Sequence, residues 1–186
     1  MSNCFLLILT GPPGAGKTTV GRRIAAEFTP SIVVESDWFW ASIVNGAIPP
    51  WEIESHAQNR AMLRAALASA ARLARAGYAT VLEGIFGPWN FDLVHEELAD
   101  VEAPISYVVL RPSVEECLTR SVERLKEPRH AGALTEEEPI RLLYSQFEHL
   151  DAYEKYVLDS SGRSVEETVR VIAESMSGAA TFAITP

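Results

Sequence analysis

Apolar residues along this chain fall into short continuous runs that alternate with stripes at helical spacing. The run Cys4-Phe5-Leu6-Leu7-Ile8-Leu9 has no polar break, the pattern of a strand buried on both faces. Similar runs at 31–35 (SIVVE), 78–82 (YATVL) and 105–110 (ISYVVL) predict three more strands, and 156–159 a short fifth. A helix is predicted over 18–28. A long Ala-rich helix over 57–76 carries Leu63, Leu67, Ala70 and Ala74 on one face, with Gly77 as its stop. Residues 90–99 predict a short helix capped by Asn90. Three capping-box pairs, Ser113/Glu116, Thr135/Glu138 and Ser164/Glu167, mark the starts of three further helices. The first would bury Val114, Leu118, Val122 and Leu125. The second carries Ile140, Leu143, Tyr144, Phe147 and Leu150, and the third runs to Ser175. Residues 126–138 are polar and interrupted by Pro and Gly, the composition of a mobile loop. The tail, 177–186, predicts no element.

Strands alternating with helices are the signature of βαβ units and a parallel sheet. A chain of 186 residues suits one such domain, spanning 1–186, and is short for two. No apolar stretch approaches the length of about 18 residues that a membrane span needs, so no membrane partner is expected. The N-terminus lacks a basic region and a cleavage site and is expected to be the first strand. Cys4 and Cys117 fall at apolar positions, as reduced core residues of a cytoplasmic protein do. The net charge is −9, and the three lysines are Lys17, Lys126 and Lys155. That balance argues against a nucleic-acid partner, which requires a basic stripe. His56, His95, His130 and His149 show no metal-ligand spacing.

One segment carries specific chemistry. Residues Gly11 to Thr19 read GPPGAGKTT, a complete phosphate-binding loop, placed between a predicted strand and a predicted helix as its mechanics demand. Gly11, Gly14 and Gly16 permit backbone dihedrals and close approaches that a side chain would block. The main-chain N–H groups through Ala15 and on to Thr19 can then turn onto phosphate oxygens. The helix N-terminus adds partial positive charge at the same point. Lys17 is placed to reach the β- and γ-phosphates, and the Thr18 hydroxyl to hold Mg²⁺. ATP and Mg²⁺ are the expected cofactors.

With these elements in order, the chain resembles the P-loop small-molecule and nucleotide kinases, among them gluconate kinase, shikimate kinase and chloramphenicol phosphotransferase. The phosphate loop carries the resemblance, and four other segments match by position. Asp37 follows the second strand, where members of the group place an aspartate against the acceptor hydroxyl. Leu82-Glu83-Gly84 ends the third strand, like the Asp-Gly of nucleoside monophosphate kinases. Arg120 and Arg124 precede the loop, as lid arginines do. Ser160-Ser161-Gly162-Arg163 follows the last strand, where the adenine-contacting loop lies. The resemblance implies an α/β three-layer sandwich of P-loop kinase type: a five-stranded parallel sheet in the order 2-3-1-4-5, helices on both faces, and a lid over 126–138.

Each site residue also has a plainer reading. Asp37 at the carboxyl end of a strand can orient and deprotonate an attacking hydroxyl, or cap the helix of Trp38, Phe39 and Trp40. Glu83 can hold Mg²⁺ through water or bind the acceptor, or simply pair with an arginine. Arg120, Arg124 and Arg129 can offset charge on the transferring phosphoryl, and Arg120 can stack on adenine; alternatively Arg120 and Arg124 pair with Glu116 and Glu123. Arg163 is a candidate contact for the nucleotide. Arg111 reads as structural.

Trp38, Trp40, Trp51, Trp89, Phe39, Phe86 and Phe91 fall in the two segments that would face the acceptor. No lysine or arginine occurs in 36–59 or 84–100, and only Arg60 borders them. An anionic acceptor would need a cation there. The expectation is therefore an ATP-dependent transfer to a hydroxyl of a small, neutral or aromatic molecule by a monomer or homodimer. A nucleoside or nucleotide kinase, or a regulatory ATPase without an acceptor, is the alternative. The N-K-x-D pattern of GTP-binding switches is absent.

Overall fold

The continuous apolar runs become the inner strands of one sheet. In the computed structural model, which describes residues 4–124, 134, 136–176 and 183–184, β1 (Leu6–Thr10), β2 (Ser31–Glu35), β3 (Ala79–Gly84), β4 (Ile105–Leu110) and β5 (Val157–Leu158) pair in parallel. Their order is β2-β3-β1-β4-β5, the order implied by the kinase resemblance. Every residue of β1, β3 and β4 is buried, whereas β2 is half-buried along its length, as an edge strand is. A sixth strand, β6 (Ala183–Ile184), pairs antiparallel with the start of β4. It comes from the tail in which the sequence predicts no element, and it makes the sheet six-stranded rather than five-stranded.

Seven helices are described: α1 (Lys17–Ala25), α2 (Asp37–Ala41), α3 (His56–Arg75), α4 (Phe91–Leu98), α5 (Val114–Arg124), α6 (Glu137–Ser145) and α7 (Val165–Glu174). α1 lies on β1 and β3 and packs against α7, while α3 lies on β2 and β3 and packs against α4. α3 presents Leu63, Leu67, Ala70 and Ala74 to the core as predicted. Gly77, at φ +91, follows it, the left-handed stop that a helix C-terminus favours.

Three local readings change. Asn90 precedes α4 but makes no side-chain cap. The helix after 136 starts behind Glu136, while Thr135 lies outside the described residues. α5 buries Cys117 and Ser121, and Val122 is 55% exposed; Leu125 lies outside the described residues. The buried stripe of α5 is rotated because its inner face meets the phosphate loop, where large side chains do not fit. A Cβ on Gly14 would stand 2.2 Å from the Cys117 carbonyl oxygen and 2.7 Å from Ser121 Oγ.

Candidate active site

The loop from Gly11 to Gly16 joins the carboxyl end of β1 to α1, and β1 lies between β3 and β4. Open α/β sheets bind ligands outside the carboxyl ends of their strands, where the strand order reverses. Gly14 and Gly16 sit at φ +78 and +93, conformations that let successive N–H groups face one concavity. Lys17 opens α1 and curls back over the loop: its Nζ donates to the Gly11 carbonyl at 3.0 Å and the Pro12 carbonyl at 2.9 Å. The ammonium is thereby held in the loop's own concavity.

Thr18 Oγ1 donates to Glu83 Oε1 at 2.9 Å. Glu83 is 4% exposed. Burial pushes its carboxyl up to about 7; the Lys17 charge opposes the shift, while Asp37 and Glu35 add to it. Glu35 and Glu83 are register partners across β2 and β3. Glu35 is occupied, accepting from Arg22 Nε at 2.9 Å and from Trp38 Nε1 at 3.2 Å.

Backbone packing places Asp37 beside this group. The Ser36 N–H donates to the Glu83 carbonyl at 2.9 Å, and the buried Ser36 side chain lies against Gly84, where a Cβ would collide with it. Asp37 follows as the first residue of α2 and is exposed. The predicted cap is absent, because Ser36 takes the cap position.

A second cavity of about 160 Å³ opens beside α1, lined by Ala15, Gly16, Thr19, Arg120, Ser160 and Arg163 among others. It brings Arg120 on α5 and the loop after β5 to the same wall as the phosphate loop. Arg120 also pairs with Glu116, Nη2 to Oε2 at 2.6 Å, so the i,i+4 reading holds as well. Arg124 is the last residue of α5, and its side chain, like Arg129 and residues 126–133, lies outside the described residues. Arg111 is structural in its contacts: Nη1 donates to the Phe147 carbonyl at 2.7 Å and to Glu154 Oε1 at 2.9 Å.

The aromatic wall is smaller than predicted. Phe86 and Phe91 are core residues. Phe86 is held inward because its N–H donates to Thr10 Oγ1 at 2.8 Å and its carbonyl accepts from Tyr107 Oη at 2.8 Å. Phe39 and Trp40 are half-buried against the core, with Trp40 Nε1 donating to Asn59 Oδ1. Trp51 is half-buried, and Trp38 and Trp89 remain exposed at 65% and 46%. Arg60, the bordering cation, is paired with Asp92 at 2.6 Å. Arg64 is paired with Glu96 at 2.5 Å.

The implied metal suits these donors. Mg²⁺ takes oxygen ligands and is usually held by one or two protein groups together with substrate phosphates and water. Thr18 and Glu83 supply two oxygens in contact at the mouth of a phosphate-binding loop.

Comparison with known proteins agrees with this fold. The sequence profile of the family described as an AAA domain matches residues 6–149. Similar solved structures include an APS kinase from Mycobacterium tuberculosis in complex with AMPPNP and APS, 18% identical, covering 93% of this chain and 97% of that one with a TM-score of 0.67. A sugar kinase from Janibacter sp. HTCC2649 is 22% identical, with 96% and 98% covered and a TM-score of 0.62. The shikimate kinase of Acinetobacter baumannii in complex with shikimate is 23% identical, with 94% of each chain covered and a TM-score of 0.59. At such identities the likeness is one of fold, that of the P-loop kinases. No curated protein is significantly similar in sequence.

Proposed function

The chain belongs to the AAA domain family of P-loop proteins, and on that footing we propose that it transfers the γ-phosphoryl group of ATP to a hydroxyl of a small, uncharged or aromatic-containing molecule. One observation carries the reading. Lys17, Thr18 and Glu83 meet at the carboxyl edge of the sheet, and Asp37 follows directly on the strand that pairs with Glu83. Donor-phosphate groups and a carboxylate suited to a hydroxyl thus share one edge.

The chain's residues divide the work. Amides from Gly14 to Thr19 hold the phosphate chain, and Lys17 exchanges its two loop carbonyls for phosphate oxygens. Thr18 and Glu83 would hold Mg²⁺, which when bound offsets charge on the β- and γ-phosphates. Asp37 accepts the hydrogen bond of the attacking hydroxyl. As its oxygen bonds to the γ-phosphorus and the bond to the ADP oxygen breaks, Asp37 takes the proton. Arg120 and Arg163, which line the cavity beside Gly16 and Thr19, flank the base, and Arg124 is the arginine left for the phosphoryl side.

The acceptor class follows from charge. The segments 36–59 and 84–100 contain no lysine or arginine, and the bordering Arg60 and Arg64 are engaged by carboxylates. Acceptors such as shikimate or APS would bring an anion to a site without an available cation from these segments. The reading involves no nucleic acid or membrane, and no described helix is long and apolar enough to cross one.

An acceptor panel tests it. ADP release with Mg²⁺ and ATP is followed for neutral alcohols and phenols, for shikimate and other anionic alcohols, and for 5′-hydroxyl oligonucleotides. Mass spectrometry confirms the phosphorylated product. Turnover dependent on a neutral acceptor is expected. Activity confined to anionic acceptors would overturn the acceptor class, and hydrolysis indifferent to every acceptor would favour the regulatory ATPase.

A further inference from the structure

Resting on the nucleotide-binding reading above, we propose that Glu116 is a positioning residue for the nucleotide: its single carboxylate fixes Arg120 on α5 and the loop 159–163 relative to each other across the cavity they line. Oε2 accepts from Arg120 Nη2 at 2.6 Å, and Oε1 accepts from the Gly162 N–H at 2.8 Å. Arg120, Ser160 and Arg163 all face the cavity of about 160 Å³ beside Gly16 and Thr19.

The local alternative is that Glu116 is only a capping-box residue. The chain contains its own control. At α7, Ser164 and Glu167 form the complete box: the Glu167 N–H donates to Ser164 Oγ at 3.1 Å and the Ser164 N–H to Glu167 Oε2 at 2.8 Å. At α5 only half forms, with the Glu116 N–H 3.3 Å from Ser113 Oγ. The Ser113 N–H instead donates to Ser161 Oγ at 2.9 Å, which donates onward to Asp159 Oδ1 at 2.6 Å. The loop has taken over the other half of the box by accepting from the Ser113 N–H, and the Glu116 carboxylate is left to bridge loop and guanidinium. Two separate links therefore tie the first turn of α5 to the loop after β5.

A further observation suits this cavity to a polar ligand. Ser160 Oγ is buried without a hydrogen-bond partner among the described residues, and Ser160 lines the cavity. Leaving such a group unpaired is costly, and a polar ligand edge entering the cavity would offer it a partner. Glu116 itself is set back from that cavity and acts through Arg120 and Gly162. It holds Arg120 in place before nucleotide arrives, while Arg163 Nε is held separately by the Asp159 carbonyl at 3.0 Å.

Calorimetric titration with Mg²⁺–AMPPNP and with Mg²⁺–tripolyphosphate separates this role from a structural one, because tripolyphosphate occupies the phosphate loop and leaves the base cavity empty. Loss of a charge-assisted pair predicts about tenfold weaker AMPPNP binding for Glu116→Ala, with tripolyphosphate affinity unchanged. Glu116→Gln keeps shape and can still accept from Gly162 but cannot hold Arg120 ionically. It is expected to lose less than Glu116→Ala, and to add no further loss in an Arg120→Met background. It also serves as the test should the alanine variant fail to fold. Equal weakening for both ligands, or unchanged AMPPNP affinity, would overturn the positioning role while leaving the kinase reading intact. A wild-type protein that binds neither ligand would overturn both.

Discussion

Lys17 holds two carbonyls of its own loop and so keeps its charge where phosphate oxygens would arrive. Lys17→Ala is expected to lower phosphoryl transfer by about 10²-fold or more, the scale for removing a donor aimed at transition-state charge. The fold should survive, since the carbonyls it holds belong to the loop itself; steady-state turnover with circular dichroism checks both. Asp37 gives a sharper discrimination. It is exposed and first in α2 rather than its cap, so Asp37→Asn should leave the helix intact. If it accepts the hydroxyl proton, turnover falls by about 10²-fold or more with AMPPNP affinity nearly unchanged; a variant with wild-type turnover would remove the base assignment. Lys17 and Thr18 were legible in sequence because the loop motif is contiguous. The dual contact of Glu116 was not, because the Gly162 N–H it accepts lies 46 residues away.

Elements show the same division between local and distant causes. Gly14 and Gly16 both require a left-handed backbone, but only Gly14 is pressed against another element. A Cβ there would reach the α5 backbone at 2.2 Å, whereas at Gly16 it would meet nothing within 4 Å. Gly14→Ala is therefore expected to cost roughly 3 kcal/mol or more from conformation and overpacking together, against about 1–2 kcal/mol for Gly16→Ala. Urea denaturation of the two variants compares them, and equal losses would show that α5 yields at the contact. Strands were legible because β1, β3 and β4 are buried on both faces and so read as unbroken apolar runs. The stripe of α5 was not, because it packs on bare loop backbone and buries Cys117 and Ser121 instead of Val122. Phe86 differs from its expected place for a related reason: its N–H donates to Thr10 Oγ1 and its carbonyl accepts from Tyr107 Oη, which turns the exit of β3 inward. The two residues of β6 are too few to carry any period.

Across the whole molecule, the parallel order sets the carboxyl ends of β2, β3 and β1 side by side, so that Glu35, Asp37 and Lys17 all act on Glu83. That order was legible only through the kinase resemblance, since no local pattern encodes which strands are neighbours. Its electrostatic consequence is open to measurement. Glu83 is raised from an ordinary 4.5 to about 7, chiefly by burial. The folded state thus prefers the protonated carboxyl. The resulting contribution to stability is complete below the unfolded value and is lost as pH rises through about 7. A shift of this size corresponds to something on the order of 3 kcal/mol. Glu83→Gln keeps an acceptor for Thr18 but cannot ionise. In urea denaturation of the unliganded protein from about pH 5 to about pH 8.5, wild-type stability should decline relative to the variant, which becomes the more stable of the two at the alkaline end. The other titrating groups are common to both proteins, so the difference isolates Glu83. Mg²⁺ with ATP favours the ionised carboxylate, so ligand-induced stabilisation of the wild type should grow over the same range while the variant loses turnover. Parallel stability profiles for the two proteins would show that Glu83 is not held in its protonated form, and the growth of ligand-induced stabilisation with pH should then be absent as well.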